Sequence, residues 1–367
     1  MEGQNIVING TAYTYDQVAR DAVTPATDFE KFTLSFCRAW LNGEQSFLQE
    51  TSGSTGTPKQ IEITRSQMIT SARMTEKALG LKPHATSLVC LDTKYIAGKM
   101  MLIRSFVTDM QIIAVEPSSN PLNQLPPGVR IDFAAFVPFQ LHTMMIENPE
   151  KLDQVKTAIV GGGKVNPELS QKLQQTSCKV FETFGMTETV SHIALRKLNG
   201  DQNAEHFEAL PGVSLSVDER GCLVISAPFL ANAIYTNDLV KLLDPGHFKW
   251  LGRWDNIINT GGAKVIPEEV ESALKKLFDE MSWTHRFFIT GLEDKILGHK
   301  VCLVIEGDEM PPPIVNLLKV KIKEQLPRFE VPKDIIFIKR FMETGIGKIN
   351  RKATLNLFPA KSNSFWK

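Results

Sequence analysis

The run Thr51-Ser52-Gly53-Ser54-Thr55-Gly56-Thr57-Pro58-Lys59 alternates hydroxyls with glycines and ends on a lysine behind a proline. Glycines let a backbone turn its N–H groups toward an anion, hydroxyls add donors that adapt to phosphate oxygens, and Lys59 adds a point charge. The chemistry this composition suits is the holding of a polyphosphate. A flexible Ser/Gly linker is the plain alternative. The Pro58-Lys59 pair and the apolar alternation of Ile61 and Ile63 behind it are unlike a linker. An ordinary P-loop is excluded by spacing. Gly98-Lys99, Gly163-Lys164 and Gly347-Lys348 each lack a glycine five positions ahead and a Ser or Thr behind.

Four further groupings are weak singly. Phe181-Glu182-Thr183-Phe184-Gly185-Met186-Thr187-Glu188-Thr189 places an aromatic ring, a glycine, a hydroxyl and a carboxylate within a few positions. Such a set can stack a base, let it approach, touch a phosphate and hold Mg²⁺, although a strand end and turn read the same way. Asp238, after Tyr235-Thr236-Asn237, is an acid of the kind that binds a ribose diol. Gly252-Arg253-Trp254-Asp255 is followed by the Gly261-Gly262 loop, and Thr344 to Arg351 frames Lys348 with Gly345 and Gly347. A basic surface turn would account for the last equally well.

The elements that must position these residues alternate between strand-like and helix-like. Ser87–Leu91 and Lys156–Val160 read as strands, the second ending at Gly161-Gly162-Gly163. Asn166-Pro167-Glu168 gives a cap, a first-turn proline and a first-turn acid in helical order, with Leu169 and Leu173 on one face. The apolar runs Ile112–Val115 and Phe133–Leu141 suit buried strands or a short core helix. Pro211 to Leu243 carries clustered β-branched residues broken by Gly221 and Pro228, and looks like hairpins. Beyond residue 255, Val270, Leu274, Leu277, Phe278 and Met281 predict an amphipathic helix after Pro267. A strand at Val301–Ile305, a helix through Leu317, Leu318, Ile322 and Leu326, and a strand at Ile335–Ile338 complete a small α+β unit. The expected organisation is a large α/β domain over 1–254 and a small α+β cap over 256–367, hinged at Asp255.

Composition removes other classes. Over 367 residues, 41 basic side chains balance 41 acidic ones, so nothing draws the chain as a whole to nucleic acid. No stretch is long and apolar enough to span a bilayer, and Met1 to Gly10 lacks the pattern of a signal peptide. Cys37, Cys90, Cys178, Cys222 and Cys302 are odd in number and scattered, with no CxxC pair. That argues against a disulfide framework or a zinc site, and for a reducing cytoplasm. The seven histidines are equally dispersed and read as core or surface residues.

The motifs gain force by occurring together in this order. In this respect the sequence resembles the acyl-adenylate-forming superfamily, which includes acyl- and aryl-CoA ligases, firefly-type luciferases and peptide-synthetase adenylation domains. The family's (Ser/Thr)-Ser-Gly-(Ser/Thr)-Thr-Gly-x-Pro-Lys matches Thr51–Lys59, and its (Tyr/Phe)-Gly-x-Thr-Glu matches Phe184–Glu188. Its Gly-Arg-x-Asp…Gly-Gly…Pro-x-Glu-(Val/Ile)-Glu runs from Gly252 to Glu271, and its Gly-Lys-(Ile/Val)-x-Arg is Gly347–Arg351. The likeness extends from about Phe47 to Arg351. Two departures stand out. Only 50 residues precede Thr51, so the resemblance implies a large domain shortened at its N-terminal side, and the family's Thr-Gly-Asp reads Thr236-Asn237-Asp238. Within the superfamily the chain looks most like a short o-succinylbenzoate–CoA ligase of menaquinone biosynthesis, a likeness carried by Phe47 through Arg104.

That resemblance implies an ATP-dependent ligase working through an acyl-AMP, with ATP, Mg²⁺ and coenzyme A as co-substrates and activating metal and no redox cofactor. Thr51, Ser52, Gly53, Ser54, Thr55, Gly56 and Lys59 would cradle the β- and γ-phosphates. Glu188 would hold Mg²⁺, with Thr187 near the α-phosphate. Phe184, Gly185 and the Gly161, Gly162, Gly163 edge would flank adenine, and Asp238 and Arg253 the ribose. Lys348 would bridge the α-phosphate and the attacking carboxylate. Lys99 and Arg104 would hold the acid's second carboxylate. Rotation about Asp255 would then bring Gly261 and Gly262 to line a pantetheine tunnel. The partners implied are a small carboxylic acid, ATP and CoA, without nucleic acid or membrane insertion; a homodimer is allowed. Rival readings are loading of another acid, or of a carrier protein, a non-catalytic nucleotide-binding module, and a phosphotransferase that would release ADP.

Overall fold

The computed structural model describes residues 4–50, 60–200, 204–343 and 349–357. The chain divides into two compact units. The first comprises Met1–Ser216, Val224–Ile234 and Leu242–Lys249, and the second Val217–Leu223, Tyr235–Lys241 and Trp250–Lys367.

The first unit is built on parallel strands. Gln111–Ala114, Thr86–Val89, Ile131–Phe136, Val155–Val160 and Lys179–Gly185 lie side by side in that order, each parallel to its neighbour. Asn5–Ile8 joins in parallel beside Gln111–Ala114, and Thr11–Thr14 closes that edge antiparallel. At the other side His192–Lys197 returns antiparallel to Lys179–Gly185, followed by Phe207–Ala209. Parallel strands packed on both faces need continuous apolar runs, and Phe133, Ala134 and Phe136 with Ala158 and Val160 supply them, all buried. The apolar stretch Phe133–Leu141 is split. Its first part ends the strand Ile131–Phe136, and Pro138 at the first helical position opens the helix Pro138–Glu147.

Three helices bear on the site. Asp28–Leu41 is capped by Thr27, Arg65–Leu79 by a reciprocal Thr64–Gln67 capping box, and Ile96–Thr108 starts from the loop after strand Thr86–Val89. The strands Ser46–Glu50 and Gln60–Thr64 form a separate antiparallel pair. Phe47 anchors it by packing its ring 5.1 Å from that of Phe36 and 6.1 Å from that of Trp40.

The second unit is α+β, as the spacing predicts. Phe287–Asp294 and Gly298–Glu306 are antiparallel, and Asp334–Ile338 lies parallel to the latter. Helices Pro267–Glu280 and Pro312–Gln325 bury Val270, Leu274, Phe278, Leu318 and Ile322 against one face of this sheet. Phe288, Val304, Ile336 and Phe341 form the packing on the other face, with Leu355 against them. With both faces covered, Val301–Ile305 is buried throughout instead of alternating. All five cysteines are buried and unpaired. No helix among the described residues is long and apolar enough to cross a membrane.

Candidate active site

The hydroxyl–glycine run Thr51–Lys59 lies outside the described residues. Glu50 and Gln60, which flank it in the sequence, face each other as the last pair of the antiparallel strands.

Parallel sheets bind ligands beyond the carboxyl ends of their strands, and the first unit's candidate residues gather there. Gly161 follows strand Val155–Val160 and donates its N–H to the carbonyl of Phe136 at 3.1 Å. Phe184 and Gly185 end the adjacent strand Lys179–Gly185. Thr183 ties the two strand ends together, its hydroxyl donating to the Val160 carbonyl at 3.1 Å. The half-buried ring of Phe184 is held edge-on by Phe248, with centroids 5.0 Å apart, and by Phe207 at 5.6 Å. Gly185 meets a steric demand. A Cβ there would stand 2.4 Å from both the His192 Cα and the Ser191 carbonyl oxygen, so any side chain would force the returning strand away.

Between those strands Thr187–Thr189 makes one 3-10 turn. The Thr189 hydroxyl closes it, accepting from Met186 N at 3.0 Å and donating to the Ser191 carbonyl at 2.7 Å. Val190 then adopts φ 63°, a conformation a β-branched side chain rarely takes. The turn leaves the Glu188 carboxylate exposed, with no hydrogen bond or ion pair among the described residues. Among the described residues no cluster of three metal-ligating side chains exists. A lone accessible carboxylate fits Mg²⁺, which keeps several waters and takes its other oxygens from substrate phosphates.

Lys99 and Arg104 share the helix Ile96–Thr108 but do not converge, since five residues turn through about 140°. Lys99 reaches Gln49 Oε1 at 2.8 Å and lies over the ring of Phe36, and partial burial lowers its ammonium below the usual lysine range. Arg104 turns inward and is 2 % exposed. Its Nη2 donates to Ser191 Oγ at 2.6 Å and to His192 Nδ1 at 3.3 Å, and its Nε to Thr75 Oγ1 at 3.3 Å. Burial pushes its guanidinium down to about 9, which still leaves it cationic at neutral pH. No carboxylate pairs with it among the described residues, whereas buried charges are ordinarily paired. Thr75, Ser191 and His192 were not singled out by sequence reasoning. They come from a helix and a strand entrance far apart in the chain, and no local spacing marks them.

In the second unit Asp238 is 7 % exposed and accepts from Trp250 Nε1 at 3.0 Å, with Arg253 Nη1 at 3.7 Å. Burial pushes its carboxyl above the ordinary range, only partly offset by Trp250 and Arg253. Asn237, where the family motif has glycine, carries contacts that glycine could not. Its Oδ1 accepts from Arg220 Nη1 at 2.8 Å, and its Nδ2 donates to the two Asp255 oxygens at 3.0 and 3.2 Å. Arg253 Nη2 holds the same Asp255 at 2.9 Å. Gly261 and Gly262, with φ 57° and 85°, are the two central residues of the hairpin joining Ile258–Thr260 to Ala263–Val265. A two-residue hairpin of this type demands positive φ at both positions. Gly345, Gly347 and Lys348 fall outside the described residues; the flanking Glu343 and Ile349 form an isolated antiparallel bridge.

The family model described as AMP-binding enzyme matches residues 10–226. Among curated proteins, the chain is 26% identical over 351 residues to a probable 2-succinylbenzoate–CoA ligase of Mycobacterium tuberculosis, covering 88% of this chain and 87% of that protein. Among solved structures, it is 38% identical to an acyl-CoA synthetase (AMP-forming)/AMP-acid ligase II-like protein from Dyadobacter fermentans. That match covers 92% of this chain and 97% of the other, at a TM-score of 0.62. The o-succinylbenzoate coenzyme A synthetase of Bacillus subtilis, solved with ATP and magnesium ion, shares the fold at a TM-score of 0.67 and 20% identity, over 83% of this chain and 68% of that one.

Proposed function

The chain belongs to the AMP-binding enzyme family, as an AMP-forming acid–CoA ligase using ATP, Mg²⁺ and CoA, and from that premise we propose that its acid carries a second carboxylate, as o-succinylbenzoate does. The observation that carries this reading is Arg104, a buried cation bonded to Thr75, Ser191 and His192 with no acid beside it among the described residues. Leaving a charge buried and unpaired is costly. An anionic substrate group supplies the missing partner. Of the three oxygen and nitrogen partners, Ser191 alone is half-buried, so the carboxylate reaches the guanidinium from that side. The names of the curated relatives point to the same substrate.

The first half-reaction joins a carboxylate oxygen to the α-phosphorus of ATP and breaks the α–β phosphoanhydride, releasing pyrophosphate. In the second, the CoA sulfur attacks the acyl carbon, its proton is lost, and AMP departs. Both anions of the first step repel one another, so the protein's work is neutralisation and alignment. In this reading Thr51–Lys59 holds the β- and γ-phosphates and Lys348 meets the charge that develops between carboxylate and α-phosphate. Thr187 lies near that phosphate, and Phe184 with Gly161–Gly163 borders the adenine. Glu188 is the residue that would hold Mg²⁺, which supplies charge compensation on the phosphates. Asp238 and Arg253 take the ribose hydroxyls, Asp255 is the hinge between 1–254 and 256–367, and Gly261-Gly262 borders the thiol's approach.

The test is AMP release from ATP with a panel of aryl, alkyl and succinyl-aryl acids, with and without CoA. Turnover with o-succinylbenzoate well above that with monocarboxylates is the expected result. Equal turnover across the panel would discard the dicarboxylate reading while leaving the ligase class intact.

A further inference from the structure

The hydrogens around Arg104 can be assigned without conflict, and the assignment gives His192 a role. A guanidinium has only donors. His192 Nδ1, 3.3 Å from Arg104 Nη2, is therefore an acceptor, and the imidazole proton sits on Nε2. Nε2 lies 3.1 Å from Thr75 Oγ1, to which it donates. The Thr75 hydroxyl passes its own hydrogen to the Ser71 carbonyl at 3.2 Å, leaving its oxygen to accept from both His192 and Arg104 Nε. Burial, and secondarily the Arg104 cation, hold the imidazole well below its usual range, so the ring stays neutral.

Thr75 and His192 therefore fix the plane of the guanidinium through neutral acceptors. A carboxylate at either position would fix it equally well and would also cancel its charge. Among the described residues Arg104 Nη1 meets only the weak acceptor Met101 Sδ, at 3.8 Å. The guanidinium thus keeps both a spare donor and its full charge. Resting on the dicarboxylate reading above, we infer that His192, braced by Thr75, is a positioning and specificity-determining residue: it orients Arg104 while leaving its positive charge for the substrate's second carboxylate.

The test compares kcat/KM for o-succinylbenzoate with that for the better of its two monocarboxylate analogues, each lacking one carboxyl, in the full chain. In the wild type the ratio favours the dicarboxylate. His192→Phe, which keeps a ring but no acceptor, lowers the ratio about tenfold or more, chiefly through KM, as expected for a lost hydrogen bond to a charged group. His192→Asn, whose amide oxygen can accept, restores it to within about threefold. His192→Asp keeps the acceptor but neutralises Arg104, and the ratio falls again. A merely structural role would not separate Asn from Asp. If His192→Phe does not fold, Thr75→Ser against Thr75→Val makes the same comparison, with the hydroxyl kept or lost. A wild-type ratio near one overturns the dicarboxylate reading itself. A wild-type preference that survives His192→Phe and His192→Asp, or Thr75→Val, overturns the inference about His192 and leaves that reading standing.

Discussion

Arg351 donates through Nη2 to the carboxylate of Glu271 at 3.0 Å and through Nη1 to the Ile289 carbonyl at 3.3 Å. The other Glu271 oxygen accepts from Ile289 N at 2.8 Å. Two sequence motifs, one ending at Glu271 and the other at Arg351, are thereby tied to a single point on the strand Phe287–Asp294. The Glu343–Ile349 bridge lies on the same stretch of chain, two residues before Arg351.

Arg351→Ala therefore destabilises the second unit by about 1–2 kcal/mol. That is less than the roughly 3–5 kcal/mol of a fully buried pair, because the Arg351 side chain keeps 32% of its exposure. Burial outweighs Arg351 and holds the Glu271 carboxyl above the usual range. A carboxyl raised in the fold stabilises while protonated, and its contribution is lost as pH rises through the folded value. Removing Arg351 raises that value further, so the loss of stability in the variant grows as pH rises above the ordinary carboxylate range. Denaturant unfolding at several pH values measures it; a pH-independent difference would contradict the assignment.

Lys348→Ala should slow acyl-AMP formation by about two to three decades, the usual cost of losing one charge-stabilising contact. Thioester formation from supplied acyl-AMP should persist. Single-turnover measurements of the two half-reactions distinguish this from a general loss of structure, which would depress both alike.

Asn237→Ala removes the amide that joins Arg220 to Asp255. If Asp255 is the hinge, loosening that hold speeds thioester formation while adenylation stays within about twofold, since lid and domain motions often limit turnover. Rapid-quench kinetics from preformed acyl-AMP would show it. Identical rates for both steps would count against a hinge at this residue.

Glu188→Gln keeps shape and removes charge. The expected outcome is a pronounced increase in the Mg²⁺ concentration needed for half-maximal pyrophosphate exchange, with the melting temperature near that of the parent, because the carboxylate is exposed. An unchanged Mg²⁺ requirement would remove Glu188 from the metal's binding set.

Gly185→Ala presses a methyl group onto backbone at 2.4 Å from His192 Cα. Overpacking of this kind costs about 1–3 kcal/mol. It also shifts the two residues that hold Arg104, so KM for a dicarboxylic acid should rise more than KM for ATP. A melting curve and the two KM values together test this.

Much of the architecture was legible because punctuation and period agree. Pro167 and Pro267 stand at helix starts, and the helix Pro267–Glu280 buries the residues its spacing predicts. The turn at Gly261-Gly262 was equally plain. The Phe133–Leu141 run was ambiguous until Pro138 divided it, since a buried strand and a buried helix share the same apolar composition. The surroundings of Arg104 were not legible at all. Thr75 and His192 meet across 117 positions, and a lone histidine in an apolar context carries no sign of what its Nδ1 accepts. Asn237 was visible only as a departure from a pattern, and its bonds to Arg220 and Asp255 give the departure a physical content.

The inward placement of every cysteine has a practical sequel. Burial pushes the thiols of Cys178 and Cys302 up to about 12, those of Cys37 and Cys90 higher still, and raises that of the fully buried Cys222, so they scarcely form or present the thiolate that alkylating reagents attack. The native chain should be nearly silent to maleimide dyes. A single cysteine introduced on the surface of each unit can then be labelled without first stripping the background, and the proposed rotation about Asp255 can be tested by energy transfer in an otherwise unaltered enzyme.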